Sequence, residues 1–512
     1  IADNTGINGY TFWDTNAKIT HKLNRSNRIA FSFYAGDDHQ YFRDKEEFDK
    51  TTTTFNRNNR WGNLLGAIHW YHIFSPDLAL KSSLGYTRYR YKREEDFKEE
   101  NENSSEHSYK SFFSGISDYR IKSFLEYDVS NHYTIKGGIS SFYREFAPGK
   151  KVYKKEENNA FLLDTSKGSP LMSSVESSLF LENRFALGDY INFNLGFRTS
   201  AFFIKNHTFY SFQPRLLMTV RPANRWKIQG SLSKMQQNIH FVSYMGLNQP
   251  VDLWLPVTKK APPEKSWQAD LSVAHDVWND DYRLSIEGYY RKMKDLIEFK
   301  EIGYINTLQE SWENNIYSGG RGESYGAEIM LRKNGGKLNG WLSYTLSWAT
   351  RQFDEINEGN SYFFGYDRRH SISLVMSYHI TERLVVAGNW VYASGRPITM
   401  PSGNISTITN MSGNLLEEIQ NNQLFYEGKN NFRTEAHHRL DISLSYTREK
   451  KWGEGTWSFS LYNLYNRKNP YSYLFRIKAN QSDNENTFGT KRKLYKRTLF
   501  PLIPSLSYTW KF

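Results

Sequence analysis

The chain has 512 residues, no cysteine and a formal net charge of +12 at pH 7. The absence of cysteine excludes disulfides, thiol catalysis, cysteine-ligated metal sites and lipid attachment through a cysteine. Aromatic residues make up 16% of the chain, yet its mean hydropathy is −0.70. This combination favours strands that are aromatic on one face and polar on the other.

The sequence predicts no transmembrane helix, because no apolar run reaches the roughly 18 residues that such a helix needs. A transmembrane β-strand needs only about 9–11 residues of alternating character, so a membrane location remains compatible with this composition. The N-terminal stretch IADNTGINGY lacks the basic and apolar regions of a signal peptide. We therefore expect a mature chain whose beginning lies upstream.

Lysine and arginine are dispersed along the chain and are not gathered on one helix or stripe. A nucleic-acid interface would need such a stripe, so no nucleic acid is expected as a partner. The basic balance instead fits a solvated lumen, polar loops and contacts with anionic lipid headgroups.

Apolar and polar residues alternate with period two in segments from one end of the chain to the other. In 191–198, for example, Ile, Phe, Leu and Phe alternate with Asn, Asn, Gly and Arg. The same pattern occurs in 283–287, 342–348, 371–378 and 440–447. Because almost every strand has one apolar face, the pattern predicts a closed barrel in lipid and not a soluble sandwich.

Short turns and long polar segments alternate between these strands. The short turns are Asn24–Asn27, Ser75–Asp77, Ser130–His132, Gly188–Tyr190, Arg221–Arg225, Trp278–Asp281, Asn334–Lys337, Thr381–Arg383 and Lys450–Gly455. The long segments are 43–59, 92–113, 148–172, 241–265, 300–322, 354–369, 399–437 and 478–495. This alternation is typical of an outer-membrane barrel, whose short turns face the periplasm and whose long loops face outward.

The pattern predicts one all-β domain over residues 1–512, a transmembrane antiparallel β-barrel with about nineteen strands in this chain. Bacterial barrels made from one chain have even strand numbers. If the last strand ends in the periplasm, the first strand, at about 10–23, also runs toward the periplasm, and an odd number of strands precedes it. Three further strands give the roughly 22 strands of plugged transporters, and one further strand gives about 20.

The segment SYFFGYDRRH (361–370) combines aromatic and basic residues at a predicted loop. At the outer mouth of a barrel, aromatic rings stack on a ligand and arginines pair with an anion. The alternative is an aromatic girdle at the membrane interface with a structural ion pair inside the wall. The candidate ligand-binding residues here are Tyr362, Phe364, Tyr366, Arg368 and Arg369.

A second aromatic segment, FVSYMGLNQPVDLWLP (241–256), lies in another predicted loop. It adds Trp254 to the candidate ligand-binding residues, since an indole ring presents a large flat surface for stacking. The same alternative, a girdle residue without a ligand, applies to it.

Catalytic signals are absent from the sequence, which contains no GxSxG, Walker A or HExxH motif. We therefore expect no enzyme and no cofactor. The adjacent His437 and His438 point to opposite faces of a strand and make a poor chelate, so no metal site is expected either. The acidic run 94–107 indicates a solvated, mobile loop, and it lacks the EF-hand spacing of a Ca²⁺ site.

The chain ends in LFPLIPSLSYTWKF (499–512), in which apolar and polar residues alternate from Leu506 onward. Tyr508, Trp510 and Phe512 are expected to face lipid near the periplasmic girdle. A terminal phenylalanine after alternating aromatics resembles the signal that the outer-membrane insertion machinery recognises. These three residues are therefore the candidate membrane-insertion signal.

Several segments in the second half of the chain, taken in order, resemble the C-terminal barrel half of Bacteroidetes-type TonB-dependent receptors. The mid-barrel strand entry APPEKSWQADLSV (261–273) resembles the same family, and the first half matches mainly in hairpin rhythm. The matching segments are RGESYGAEIMLRKNGGKLNGWLSYTLSWATRQFDEINEG (321–359), YDRRHSISLVMSYHI (366–380), VYASGRPITMPSG (391–403), YEGKNNFRTEAHHRLDISLSY (426–446), SLYNLYNRKNPY (460–471) and the final LFPLIPSLSYTWKF.

The resemblance implies a 22-stranded barrel in the bacterial outer membrane, in contact with its lipid and lipopolysaccharide. In the family an N-terminal plug fills the lumen, a Ton box contacts TonB in the periplasm, and relatives in this phylum often work with a surface lipoprotein. Neither a plug nor a Ton box is visible in these 512 residues. Either both lie in a missing N-terminal region, together with the first strands, or this barrel works without them.

The leading functional hypothesis is a TonB-dependent transporter that imports a ligand too large for porins, of the siderophore, cobalamin, oligosaccharide or peptide class. A second hypothesis is a receptor-like barrel that serves as a structural or assembly component of a multi-protein outer-membrane complex with other envelope proteins. A third is an open passive channel. The sequence does not identify the ligand.

Overall fold

The computed structural model of the chain describes residues 7–48, 50–158, 160–244, 251–278, 281–300, 311–408, 420–478 and 491–512. These residues are almost entirely β-structure. No helix in these ranges is long and apolar enough to cross a membrane.

Within the described ranges twenty-nine strands form, since β-branched and aromatic residues favour extended backbone. Two short 3₁₀ helices, Trp312–Asn315 and Asn357–Gly359, lie between strands. In chain order, the strands are β1 (Ile7–Lys22), β2 (Asn27–Phe48), β3 (Thr51–Ser75), β4 (Leu78–Glu100), β5 (Ser105–Ser130), β6 (Tyr133–Glu157), β7 (Ala160–Gly168), β8 (Met172–Leu187), β9 (Ile191–Ile204), β10 (His207–Val220), β11 (Trp226–Gln237), β12 (Ile239–Tyr244), β13 (Val251–Pro256), β14 (Glu264–Val277), β15 (Tyr282–Phe299), β16 (Ile316–Lys333), β17 (Leu338–Gln352), β18 (Tyr362–Phe363), β19 (His370–His379), β20 (Leu384–Ala393), β21 (Pro397–Ile398), β22 (Gly403–Ile408), β23 (Gln420–Phe425), β24 (Phe432–Arg433), β25 (His437–Lys450), β26 (Gly453–Tyr462), β27 (Pro470–Lys478), β28 (Lys491–Thr498) and β29 (Ile503–Lys511).

One antiparallel sheet of 21 strands forms the wall, and each wall strand pairs with its neighbours in the chain. Two of the 21 are short additions, β7 beside β6 and β18 beside β17. About 19 strands therefore run the height of the wall, as the alternation predicted. Between β1 and β29 no pairing occurs in the part of the chain that the structure describes.

The nine predicted short turns all lie at one end of the wall, which confirms the predicted strand directions. β1 runs toward that end, and so does β29, because Lys511 pairs with Glu454 at the start of β26. We call the opposite end, where the longer connections lie, the mouth.

Three segments predicted as long polar loops, 43–59, 92–113 and 148–172, are mostly strand, and that part of the prediction was wrong. β2 and β3 pair without a break up to Phe48 and Thr51, and β4 and β5 pair up to Glu100 and Ser105. The acidic run 94–107 therefore lies in a paired hairpin with a short turn, and was misread as a loop. Polar residues on both faces are stable in paired strands that stand in water, since opposite charges pair across them.

One side of the mouth is consequently much higher than the other. β3 and β6 have 25 residues each, whereas β19, β20 and β26 have 10. At about 3.3 Å per residue the long strands reach about 80 Å and the short ones about 33 Å. Because the short turns align at the other end, the additional length projects as paired hairpins beyond the mouth.

The predicted two-faced character of the wall is visible in its cross-strand pairs. Phe459 of β26 pairs with Leu506 of β29, and both side chains are exposed on the outward face. The next pair, Ser458 with Ser507, lies on the other face. Most of the buried apolar side chains form clusters near the mouth, where connections fold back between the walls.

Candidate ligand-binding mouth

The hairpin of β12 and β13 crosses the lumen at the mouth. Val242, Leu253 and Leu255 form one buried cluster with Ile297, Phe299, Trp312 and Ile316, on the side of β15, which pairs with β14. Tyr91 of β4 and Phe112 of β5, on a distant part of the wall, pack against the same cluster. Because β4 and β15 are separated by many strands along the sheet, this cluster ties two distant parts of the wall together.

A second contact reinforces that bridge. The backbone N–H of Trp312 donates to Oγ of Ser169, which follows β7, over 3.1 Å. His240, which opens the hairpin, is fully buried. Its Nδ1 lies 3.0 Å from Oε1 of Glu264, and its Nε2 lies 3.2 Å from the carbonyl oxygen of Ala261. The base of the hairpin is thus held by polar as well as apolar contacts.

Trp254 lies on this hairpin, on the face opposite the buried leucines. It pairs across the strands with Phe241, and the two ring centroids are 4.7 Å apart. Its neighbours Leu253 and Leu255 point into the cluster, since side chains alternate along a strand. The hairpin therefore presents a two-ring aromatic surface, of which the sequence reasoning identified Trp254 and missed Phe241.

Tyr362, a predicted ligand-binding residue, is only 6% exposed. It packs with Leu296, Phe353 and Ile356 in a second buried cluster. Its position supports the loop between β17 and β19 from within and offers little surface to a ligand.

Phe364 and Tyr366 lie on the outside of that loop. The guanidinium of Arg351 stacks over the ring of Phe364 at 3.7 Å, which covers one face of it. Tyr366 meets Phe364 edge-on at 5.2 Å and is 55% exposed. Of the three predicted aromatic residues in this segment, Tyr366 is the one most accessible to a ligand.

Asp367 organises the arginines around it. Its carboxylate is buried and accepts a hydrogen bond from the backbone N–H of Ala349 at 2.7 Å and one from Arg433. Arg369 lies 3.5 Å from the same carboxylate and stacks over Trp348 at 4.4 Å. Arg369 therefore has the structural role named as the alternative, an ion pair within the wall.

Arg368 points elsewhere, into a small basic cavity of about 60 Å³ that we call the basic pocket. Arg396 and His437 also line it. Nη1 of Arg368 donates to the carbonyl oxygen of Ser394 at 3.1 Å. Burial and then the positive charge of Arg396 lower the pKa of Arg368, although an arginine remains protonated in proteins.

Other arginines beside the basic pocket also donate to backbone carbonyls. Arg433 donates to Gly395 at 3.1 Å, and Arg467 donates to Ala436 at 3.0 Å. A carbonyl stabilises a guanidinium but does not neutralise its charge. Among the described residues that line the pocket, Glu435 is the one with a carboxylate, and Lys496 binds it at 2.7 Å. The pocket therefore carries a local excess of positive charge.

Hydrogen bonds join two of the connections at the mouth. Asn357 accepts from the backbone N–H of Lys429 at 2.7 Å, and Asn430 donates to the carbonyl oxygen of Phe363 at 2.8 Å. Lys429 also reaches Glu298 at 3.3 Å, which Arg351 binds at 3.0 Å. The connection after β17 and the connection before β25 are thus joined to the end of β15.

His437 and His438 lie on opposite faces of β25, as predicted. His437 lines the basic pocket, whereas His438 lies beside Tyr465, whose hydroxyl is 2.7 Å from His438 Nδ1. No cluster of metal-ligating side chains occurs among the residues that the structure describes. The sequence did not reveal the basic pocket, since Arg368, Arg396 and His437 are far apart in the chain.

The model of the family described as TonB dependent receptor-like, beta-barrel matches residues 2–464. No curated relative matches the chain. Three solved structures share the fold: the pyoverdine outer-membrane receptor FpvA from Pseudomonas aeruginosa PAO1 (TM-score 0.58, 10% identity, 99% of this chain and 77% of that chain), the ferric-catecholate import receptor Fiu from K12 E. coli (0.57, 8%, 98% and 80%) and the RagAB peptide importer (0.57, 10%, 89% and 68%). The chain belongs to the TonB-dependent receptor β-barrel family.

Proposed function

We propose that this barrel is a TonB-dependent transporter of the bacterial outer membrane that imports a ligand too large for porins. The observation that carries the proposal is the hairpin of β12 and β13, which bridges the lumen at the mouth of a family-matched barrel. An open passive channel would have no reason to build a buried apolar cluster across its own entrance.

The aromatic rings at the mouth and the basic pocket are together proposed as the site of ligand capture. Trp254 and Tyr366 offer rings for stacking, with Phe364 beneath Tyr366, and Arg368 offers charge within the basic pocket. Tyr362 and Arg369 position these residues through buried contacts. A pocket of this size accommodates one carboxylate or phosphate, so the ligand is proposed to present an anionic group.

The solved structures with this fold include receptors for ferripyoverdine and ferric catecholates and a peptide importer. Siderophores and peptides both carry anionic groups, and they remain, with cobalamin and oligosaccharides, the proposed ligand classes for this chain. We also propose a plug and a Ton box on a segment outside this chain. Because β1 and β29 both run toward the short turns, antiparallel closure needs an odd number of further strands, and three give about 22.

The experiment is a growth and uptake comparison in the source bacterium. Strains lacking this gene, or lacking TonB, are supplied with ferric siderophores, cobalamin, oligosaccharides and peptides as sole sources. We expect the strain that lacks this gene to lose uptake of one class, and the strain that lacks TonB to lose at least that class. Uptake of every class at wild-type rates by the strain that lacks this gene would reject the transport proposal.

A second candidate role rests on the high side of the mouth. The hairpins of β2–β3, β4–β5 and β6–β7 project far beyond the other strands and offer a large rigid surface to a surface lipoprotein or another envelope protein. As a structural or assembly component, the barrel would co-purify with such partners and leave growth on single nutrients unchanged. Affinity purification from outer membranes, alongside the growth comparison, separates the two roles.

A further inference from the structure

An outward-facing groove lies on the high side of the wall, separate from the mouth. The alternation of side chains along β4 shows that the groove lies on the outward face of the wall. Leu84 is 58% exposed on the outward face, and Arg88, Arg90 and Lys92 have the same parity. Tyr91, of the other parity, packs into the lumen cluster. The three basic side chains therefore point away from the lumen.

A row of tyrosines places these basic residues relative to the membrane. Tyr86, Tyr119 and Tyr143 lie side by side on the outward face, with ring centroids 4.8 and 6.0 Å apart along the row. Tyrosines of this kind mark the water–lipid boundary of outer-membrane barrels. Arg88 follows Tyr86 by one outward step, about 7 Å farther toward the mouth. The basic residues thus begin at headgroup height.

The groove itself has a volume of about 460 Å³. Trp13 and Phe113 line it on either side, and Ala35 and Gly62 form part of its floor. A Cβ on Gly62 would lie 2.8 Å from the carbonyl oxygen of Gly36, so the floor depends on the absence of a side chain. The groove is a depression in the outward face of the barrel.

The charges in the groove are unbalanced. Arg60 binds Asp37 at 2.7 Å, and Lys92 binds Glu94 at 2.7 Å. Arg88 and Arg90 have no carboxylate partner within the described ranges of the chain. These two guanidinium groups lie at headgroup height on the lipid-facing side. A guanidinium is complementary to a phosphate group in charge and in the geometry of its hydrogen bonds.

We propose that the outer groove binds the phosphorylated headgroup of a lipid in the outer leaflet, with its phosphates on Arg88 and Arg90. The inference rests on the outer-membrane location that the proposed function assumes. The acyl chains of the lipid lie below the tyrosine row, against Leu84 and its outward neighbours. The lipid is a structural ligand of the high wall and takes no part in ligand import.

The test uses the purified barrel in detergent, stripped of lipid, with lipid A that carries two phosphates as the probe. The variant Arg88→Gln/Arg90→Gln removes both free charges. The matched control Lys122→Gln/Lys136→Gln removes two charges beside Phe124 on the lumen face of the same wall. Binding is measured by native mass spectrometry and by microscale thermophoresis, and β-content is checked by circular dichroism. A fourth protein, Arg88→Lys/Arg90→Lys, retains the charge without the planar fork.

We expect the glutamine variant to bind lipid A about 30-fold more weakly than wild type, since each basic residue near an anionic surface contributes roughly fivefold in affinity and the variant removes two. The lumen control should bind as wild type does, and the lysine variant should lie between. Dephosphorylated lipid A should bind wild type as weakly as lipid A binds the glutamine variant.

Equal binding of lipid A to wild type and to the folded glutamine variant would overturn the proposal. Full displacement of lipid A by millimolar inorganic phosphate would also overturn it, by assigning the groove to free phosphate. The measurement needs no transported ligand and no TonB, so a barrel that fails the uptake comparison is still tested here. Membrane fractionation of the same cells reports separately on the location.

Discussion

Leu296 and Ile297 are adjacent in the chain, and they are buried in two different clusters at the mouth. Leu296 packs with Phe353 and Tyr362 beneath the connection after β17, whereas Ile297 packs with the lumen-crossing hairpin. Asp295, just before them, has a φ of 61° and marks an irregularity in the pairing of β15 with β16. The mouth end of β15 is therefore the point at which both candidate ligand surfaces are anchored.

The lumen-crossing hairpin depends on its leucines. Leu253→Ala removes a fully buried side chain and should destabilise the docked hairpin by about 2–5 kcal/mol, because the cavity does not refill. Hydrogen exchange of 239–256 should accelerate, and conductance in planar bilayers should rise. Leu84→Ala, on the outward face, is the control and should change neither. Unchanged exchange in the Leu253 variant would show that the hairpin is held by other contacts.

Asp367 and Arg368 are adjacent and should respond differently to substitution. Asp367→Ala leaves the guanidinium groups of Arg433 and Arg369 beside a buried site without their carboxylate, at a cost of about 3–5 kcal/mol. Thermal unfolding of the purified barrel measures this loss. Arg368→Gln should leave the unfolding temperature within about 1 °C of wild type.

The same Arg368→Gln variant should weaken capture of an anionic ligand about tenfold, since it removes a charge-assisted hydrogen bond. The measurement is a binding titration with the ligand found in the growth comparison. Lys45→Gln, on the projecting β2–β3 hairpin and outside the candidate site, serves as a control for loss of a positive charge. Wild-type affinity in the Arg368 variant would remove this residue from the capture site.

Gly455 is required by the aromatic end of the chain. A Cβ at this position would lie 2.5 Å from the hydroxyl oxygen of Tyr508 and 3.3 Å from the ring of Trp510. Gly455→Val should therefore displace these rings and reduce the yield of folded barrel in the outer membrane several-fold. Heat-modifiable electrophoretic mobility measures that yield. Gly66→Val, in β3 with no atom within 4 Å of its Cβ position, controls for β-branching and for loss of glycine.

Deletion of Phe512 tests the proposed insertion signal itself. Phe512 is fully exposed beyond the end of β29, so its loss removes no packing from the wall. We expect membrane insertion to fall more than ligand binding by the molecules that do insert. Normal insertion of the truncated chain would contradict the signal assignment of Tyr508, Trp510 and Phe512.

The projecting hairpins should loosen in acid through Glu95. Burial raises the pKa of Glu95, but the hydrogen bond from Arg93 and the charges of Arg93 and Arg57 outweigh it and hold the pKa below its usual value. A carboxyl group whose pKa is lower in the folded than in the unfolded protein stabilises the fold at pH values above the unfolded pKa. This stabilisation is lost as the pH falls through the folded pKa. Proteolysis of the β4–β5 hairpin should therefore increase below about pH 4. In Glu95→Gln the increase should be smaller, because the titrating group is absent.

Much of the wall was predictable from local pattern. The alternation from Ile191 to Arg198 and from Leu440 to Thr447 located strands, and short turns such as Gly188–Tyr190 set their order and direction. The projecting hairpins were not predictable in this way. Residues 92–108 are mostly polar on both faces, and a local pattern cannot distinguish a solvated paired strand from a loop.

The candidate site was predicted in part. The structure places the aromatic and basic residues of 361–370 together at the mouth, and their role in ligand binding stays a prediction. Asp367 and Arg369 form a buried pair while Tyr366 stays exposed, and that difference depends on Arg433 and Ala349, which lie elsewhere in the chain.

By itself, the sequence determined the fold class, the approximate strand number, the family and the face of the wall that each strand residue occupies. It did so because side-chain direction in a strand has period two and is a purely local property. Only the tertiary structure decided which connections meet at the mouth, how the hairpin of β12 and β13 crosses the lumen and which arginines share the basic pocket. Those contacts join residues that are far apart in the chain, and curvature of the sheet brings them within reach.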